Sequence, residues 1–159
     1  TMDALRRANP DIPIRTTFNT GFPGETEEDF GKLAAFAEET EFERLGVFAY
    51  SREEGTPAGD MECQIDEDTK AERADSIMRR QVDISRRNNM KKIGEVFEVI
   101  VDGIDEEGAY LGRTVYDAPE IDNTVIFSGD DDRVYKPGDM VKVRITDAFD
   151  YDLTGTVCG

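Results

Sequence analysis

Apolar positions along the chain follow two different periods, and the change between them falls near residue 92. Residues 3–8 read as the last turn of a helix that stops before Asn9-Pro10, because proline cannot continue a helix and restricts the residue before it. A fold that opens inside a helix is expected to lack upstream material. Ile12-Pro13-Ile14-Arg15-Thr16-Thr17-Phe18 alternates and is rich in β-branched residues, which predicts a strand, and Gly21-Phe22-Pro23-Gly24 predicts a turn. Thr26 suits an N-cap with Asp29 as its partner, and Phe30, Leu33, Ala34 and Ala37 recur at helical spacing. Gly31 is a flaw in that helix of about 1 kcal/mol against alanine. Leu45-Gly46-Val47-Phe48-Ala49-Tyr50 is a nearly continuous apolar run, the pattern of a buried parallel strand. A polar loop spans 51–64, and a long helix is predicted from Asp66 to Lys91 with Ala74, Ile77, Met78 and Ile84 as its stripe.

The order strand, helix, strand, helix predicts βαβα units around a parallel sheet. Two strands alone leave the faces and edges of such a sheet uncovered. Residues 1–91 therefore read as the closing, C-terminal part of a larger α/β domain. After Lys92 the period becomes two, with strands predicted at 96–101, 110–116, 124–127, 140–146 and 153–157. Turn chemistry separates them at Asp105-Glu106-Glu107-Gly108, Asp130-Asp131-Asp132 and Lys136-Pro137-Gly138-Asp139. Five short strands without a helix predict a small all-β barrel like the oligonucleotide/oligosaccharide-binding (OB) fold. The expected domains are 1–91 and 92–159.

Charge sharpens this division. The net charge is −17; residues 1–91 hold 13 basic against 20 acidic residues, and residues 92–159 hold 6 against 16. Such a surface repels phosphate backbones and attracts basic proteins. A merely solubilising surface is the competing reading, and charge alone does not separate the two. Histidine is absent, which excludes Ser-His and Cys-His nucleophile pairs. Cys63 and Cys158 are too far apart in sequence for a zinc or iron–sulfur motif and fit free thiols in a reducing cytoplasm. No apolar run approaches a membrane span, and residues 1–7 carry no signal h-region, so a cytoplasmic location is expected, with no membrane partner.

The segment Thr16-Thr17-Phe18-Asn19-Thr20-Gly21-Phe22-Pro23-Gly24-Glu25-Thr26 ends a strand in a glycine-rich turn that opens a helix, where α/β sheets place ligands. A ligand-free tight turn is the other reading. This string and Leu45 to Ala58 together resemble the late-barrel segments of radical S-adenosylmethionine (SAM) methylthiotransferases, whose catalytic domain is a TIM-like barrel. Gly112-Arg113-Thr114-Val115-Tyr116-Asp117-Ala118-Pro119-Glu120-Ile121-Asp122, Lys136-Pro137-Gly138-Asp139 and Asp147 to Leu153 are similar to the TRAM domain of the branch that modifies a ribosomal protein. The resemblance covers essentially the whole chain, and the Asp-Ala-Pro-Glu-Ile-Asp string is its most specific part.

The resemblance implies an enzyme in which a three-cysteine iron–sulfur cluster cleaves SAM to a 5′-deoxyadenosyl radical. That radical activates the β-carbon of an aspartate on a small-subunit ribosomal protein. A second 4Fe-4S cluster takes part in sulfur insertion, and a second SAM supplies the methyl group. The cluster motif C-x-x-x-C-x-x-C and the domain with the second set of cysteines do not occur here. No metal ligand or catalytic residue is therefore expected in this chain, no cofactor is expected bound to it, and it is expected to be inactive alone. The resemblance places Thr17, Asn19, Gly21, Phe48, Ala49 and Tyr50 near the adenosine of SAM; core packing at strand ends is the alternative for these positions. Tyr110, Tyr116, Phe127 and Tyr151 are candidates for a contact patch on the barrel or for its core. The expected partner is a basic small-subunit ribosomal protein, not tRNA, and the chain is expected to be monomeric. A stand-alone acidic protein-binding module and a fragment of a tRNA methylthiotransferase are the other readings.

Overall fold

The structure is a computed structural model that describes residues 2–10, 12–119, 121–130 and 133–158. It divides into two compact units, Thr1–Ile84 and Ser85–Gly159.

The first unit contains α1 (Met2–Ala8), β1 (Arg15–Thr20), α2 (Glu27–Thr40), β2 (Arg44–Ala49) and most of α3 (Glu67–Met90), within which the division falls. β1 and β2 pair in parallel from Arg15 opposite Arg44 to Thr20 opposite Ala49, with α2 as the crossover. The βαβα order is that expected from the pattern. β1 starts three residues later than the alternation indicates and continues to Thr20. Proline brings no N–H to a ladder at position 13, and the Ile14 N–H goes to the Glu43 carboxylate at 2.7 Å. α2 begins in a capping box: Thr26 accepts from the Asp29 N–H, and Asp29 accepts from the Thr26 N–H. Those bonds from the Thr26 hydroxyl and N–H hold the Asp29 carboxyl below its ordinary range.

The core of this unit gathers Ile14, Phe18, Ala34, Ala37, Phe42, Leu45 and Ile77. Phe18 meets Phe42 edge-on at 5.7 Å between ring centres and stacks with Phe36 at 6.1 Å. All of this packing lies on one side of the β1–β2 pair, the side on which α2 and α3 sit. The buried face of α3 includes Ala74, Ile77 and Ile84 as expected, whereas Met78 is only half-buried. Lys70, Arg73 and Gln81 share that face, and hydropathy gave no sign of them.

In the second unit, β3 (Val96–Ile104), β4 (Tyr110–Thr114), β5 (Val125–Ser128), β6 (Met140–Ala148) and β7 (Leu153–Val157) form a closed barrel in the order β3-β4-β5-β7-β6. β5 and β7 run parallel; every other pair is antiparallel. Along β6, Val141, Val143 and Ile145 point inward while Lys142 and Arg144 face out, the alternation read from the sequence. The barrel core adds Val99, Val101, Val125, Phe127, Leu153 and Tyr135, the last from outside any strand. β4 stops at Thr114, two residues before its predicted end, because the Thr114 hydroxyl and carbonyl accept the N–H groups of Tyr116 and Asp117.

Gly112 sits where β4 lies close against β3. A Cβ there would lie 2.5 Å from the Ile100 carbonyl oxygen and 2.6 Å from Val99 Cγ1, so backbone would have to move. Gly112→Ala is predicted to destabilise the barrel by roughly 1–3 kcal/mol. The denaturant midpoint of β3–β4 amide exchange checks this, and an unchanged midpoint contradicts it.

Candidate functional site

β1 and β2 alternate their side chains between two faces. On the face away from α2 lie Arg15, Thr17 and Asn19, opposite Arg44, Gly46 and Phe48. Thr17 and Asn19 are exposed, and Phe48 is 64% exposed, which is high for a phenylalanine in a strand. A Cβ at Gly46 would sit 3.9 Å from the Phe48 ring and 4.0 Å from Thr17 Oγ1. The bare glycine thus forms the floor of a shallow cradle between a hydroxyl and an aromatic ring, with the Asn19 amide beside it in register with Phe48.

The other three candidates sit differently. Ala49 is exposed at the end of β2. Tyr50 is buried; its N–H donates to the Thr20 carbonyl at 2.8 Å, and its ring meets Phe22 edge-on at 5.3 Å. Among the described residues its phenolic oxygen has no hydrogen-bond partner. Gly21 adopts φ +75°, and a Cβ there would fall 2.3 Å from Lys70 Cγ. The space beside Gly21 is filled by the Lys70 stem, which accounts for the glycine without a ligand. The structure therefore brings together Thr17, Asn19 and Phe48 on an open face and packs Gly21 and Tyr50 beneath the strand ends.

Charged groups that hydropathy missed fix this turn. Glu25 accepts from the Gly21 N–H at 3.0 Å and from Arg73 at 2.7 Å, and Arg73 also pairs closely with Glu27. Burial alone would lower the Arg73 pKa, but the bonds to Glu27 and Glu25 outweigh it and hold the guanidinium charge more firmly than usual. Lys70, 1% exposed in its side chain, reaches Glu67 at 2.7 Å and lies over the Tyr50 ring at 5.2 Å. Lys70 and Arg73 share helical spacing with Ala74 and Ile77, so a helical wheel extended to polar residues would have placed them on the buried face.

On the barrel, the four aromatic candidates divide. Tyr110 and Phe127 stack at 5.5 Å, and Tyr110 meets Tyr135 at 5.3 Å, so these rings belong to the core. Tyr116 and Tyr151 are exposed. A single patch of all four does not form, because inward positions on β4 and β5 take the first pair into the barrel. Among the described residues no group of three or more His, Cys, Asp or Glu side chains is arranged to hold a metal. Cys63 and Cys158 are free thiols. Among those residues, too, no helix is long and apolar enough to cross a membrane.

The family profile described as TRAM domain matches residues 93–158. Curated relatives named ribosomal protein uS12 methylthiotransferase RimO align along nearly the full chain. The protein from Desulforamulus reducens is 50% identical over 153 residues, 95% of this chain and 34% of the relative. That from a Thermoanaerobacter strain is 48% identical over 149 residues, 94% of this chain and 34% of the relative. That from Clostridioides difficile is 47% identical over 156 residues, 98% of this chain and 35% of the relative. Over nearly its whole length the chain is similar to these RimO proteins, and its second unit carries a TRAM domain. It spans about a third of the length of these relatives, with the RimO-type similarity running through both units.

The buried Arg73–Glu25 pair is the clearest target in the first unit. Arg73→Met leaves the Glu25 carboxylate buried without its cation, and is predicted to cost about 3–5 kcal/mol, with Arg73→Lys recovering part. Hydrogen exchange of the β1 and β2 amides reads the loss, and wild-type protection in the methionine variant contradicts it.

Proposed function

We propose that this chain is part of a methylthiotransferase that modifies a small-subunit ribosomal protein, uS12, and that its TRAM barrel recruits that basic substrate. The observation that carries the reading is the pairing of RimO-type similarity along the chain with the acidic barrel, 16 acidic against 6 basic residues over 92–159. A tRNA methylthiotransferase would need this barrel to approach a phosphate backbone, which that charge opposes. The location that fits this role is the cytoplasm, with the chain as a monomer.

The β1–β2 face is proposed as one wall of a SAM site. Its features fit such a ligand: the Gly46 cradle for an aromatic or ribose edge, the Phe48 ring for stacking, and the Thr17 hydroxyl and Asn19 amide for hydrogen bonds. Gly21, Ala49 and Tyr50 would act behind that wall by shaping the strand ends. Bound there, SAM would supply the radical precursor and the methyl group. The residues of this chain do not fit the two 4Fe-4S clusters, since two separated cysteines cannot supply three thiolates to one cluster. Cluster chemistry accordingly has no residue here, and the chain by itself is proposed to be inactive.

Two measurements test this. The chain should bind purified uS12 with an affinity that falls steeply between low and physiological salt, and should bind tRNA weakly under the same conditions. Tight tRNA binding at physiological salt contradicts the proposal. Anaerobic reconstitution with iron and sulfide should leave no stoichiometric cluster absorbance, and a full-occupancy cluster spectrum would refute the assignment of ligands elsewhere.

A further inference from the structure

We propose that one end of the barrel, built from the β4–β5 and β6–β7 loops, is the docking surface for a basic, extended polypeptide segment. This rests on the recruitment reading and says where and how it works.

The topology selects this end. β4 ends, β5 begins, β6 ends and β7 begins side by side, as the registers Gly112–Val125, Val125–Leu153 and Ala148–Leu153 require. The two loops are bonded to each other: the Thr124 N–H donates to Asp152 at 2.9 Å, and the Leu153 N–H to the Thr124 carbonyl at 3.0 Å. The β6–β7 loop is also clamped by a side chain. Asn89, fully buried, directs its Nδ2 at the carbonyl oxygens of Phe149, Asp150 and Tyr151 at 3.2, 3.5 and 3.2 Å. A loop clamped in this way presents its side chains without an ordering cost at binding.

What the loops present is apolar and acidic together. Val115 is 86% and Ile121 76% exposed, and Tyr116, Phe149 and Tyr151 are each about half exposed. Solvent-facing apolar groups concentrated on two loops bonded to each other mark an interaction site more than a solubilising surface. Residues 115–124 and 147–153 contain six acidic residues and no basic one. A cavity of about 420 Å³ opens at the β6–β7 loop, lined by Phe149, Asp150, Tyr151 and Asp152 with Ala148 and Arg86.

Lysine and arginine match this mixture, because their stems pack on apolar surface while their charged heads meet carboxylates or aromatic faces. A neutral helix would draw nothing from the acidic character of these loops, Asp150 of which already faces Arg86 at 3.8 Å, and a nucleic acid would bring phosphates against it. The occupant is therefore a basic protein segment. The opposite end of the barrel, with Glu106 and Glu107 in the β3–β4 turn, is acidic as well but offers no comparable aromatic group in that turn.

The test uses the whole 159-residue chain with purified uS12 as probe, measured calorimetrically at two salt concentrations. Phe149→Ala with Tyr151→Ala is expected to weaken binding roughly tenfold or more. Asp147→Asn with Asp150→Asn should weaken it about threefold and flatten the salt dependence. Glu106→Gln with Glu107→Gln, at the other end, should leave binding unchanged. Unaltered melting of each variant and retained binding in Tyr151→Phe separate docking from folding. If wild type binds and the loop variants bind equally well, the docking inference fails while recruitment stands. If wild type does not bind uS12 at either salt concentration, recruitment fails and the inference with it. Binding of RNA through the same loop residues also overturns it.

Discussion

Parallel pairing of β5 with β7 is the constraint from which the rest of the barrel follows. It closes a five-stranded sheet that would otherwise expose two edges, and closure removes the templates on which edge strands aggregate. The same pairing makes both strands start at one end, beside the finishing ends of β4 and β6. Two loops of a small barrel are thereby forced together, and whatever chemistry they carry acts as one surface. The core needs only the inward half of each strand, Val99, Val101, Val125, Phe127, Val143 and Ile145 among them. The outward positions and the loops are left free to carry charge.

The first unit is organised by the opposite circumstance. A parallel pair of strands covered on one face by α2 and α3 leaves the other face bare, and there Phe48 stands out from the sheet. Its stability depends on polar groups to an unusual degree. Arg73 with Glu25 and Glu27, and Lys70 with Glu67, occupy a helix face that would ordinarily be aliphatic. Arg73 anchors the turn from Gly21 to Glu25 through its ion pair and the Lys70 stem packs on Gly21, so the geometry at the strand ends is set by an ion pair as well as by packing.

Much of this was legible in the residues. The alternation in β6 and the capping box at Thr26 each depend on local rules, and each appears where those rules put it. The β1 boundary was misjudged because alternation counts side chains, whereas Pro13 removes a backbone donor. The buried face of α3 is half hidden from hydropathy, which assigns Lys70, Arg73 and Gln81 to solvent; only tertiary partners justify burying them. Tyr135 was missed for a related reason: it enters the core from a segment with no period at all. The candidate site divided similarly. The open trio Thr17, Asn19 and Phe48 follows from strand alternation, while the roles of Gly21 and Tyr50 depend on Lys70, which is about 50 residues away in sequence from Gly21 and was invisible to any local pattern.

The central claim is that the acidic TRAM barrel receives a basic protein on the end where its β4–β5 and β6–β7 loops meet. Titrating isotope-labelled chain with uS12 and following backbone amide shifts tests it most directly. The account predicts that the largest perturbations fall within 115–124 and 147–153 and fade as salt is raised. Perturbations centred on 105–109 and 136–139, or an undisturbed barrel at saturating uS12, would contradict it.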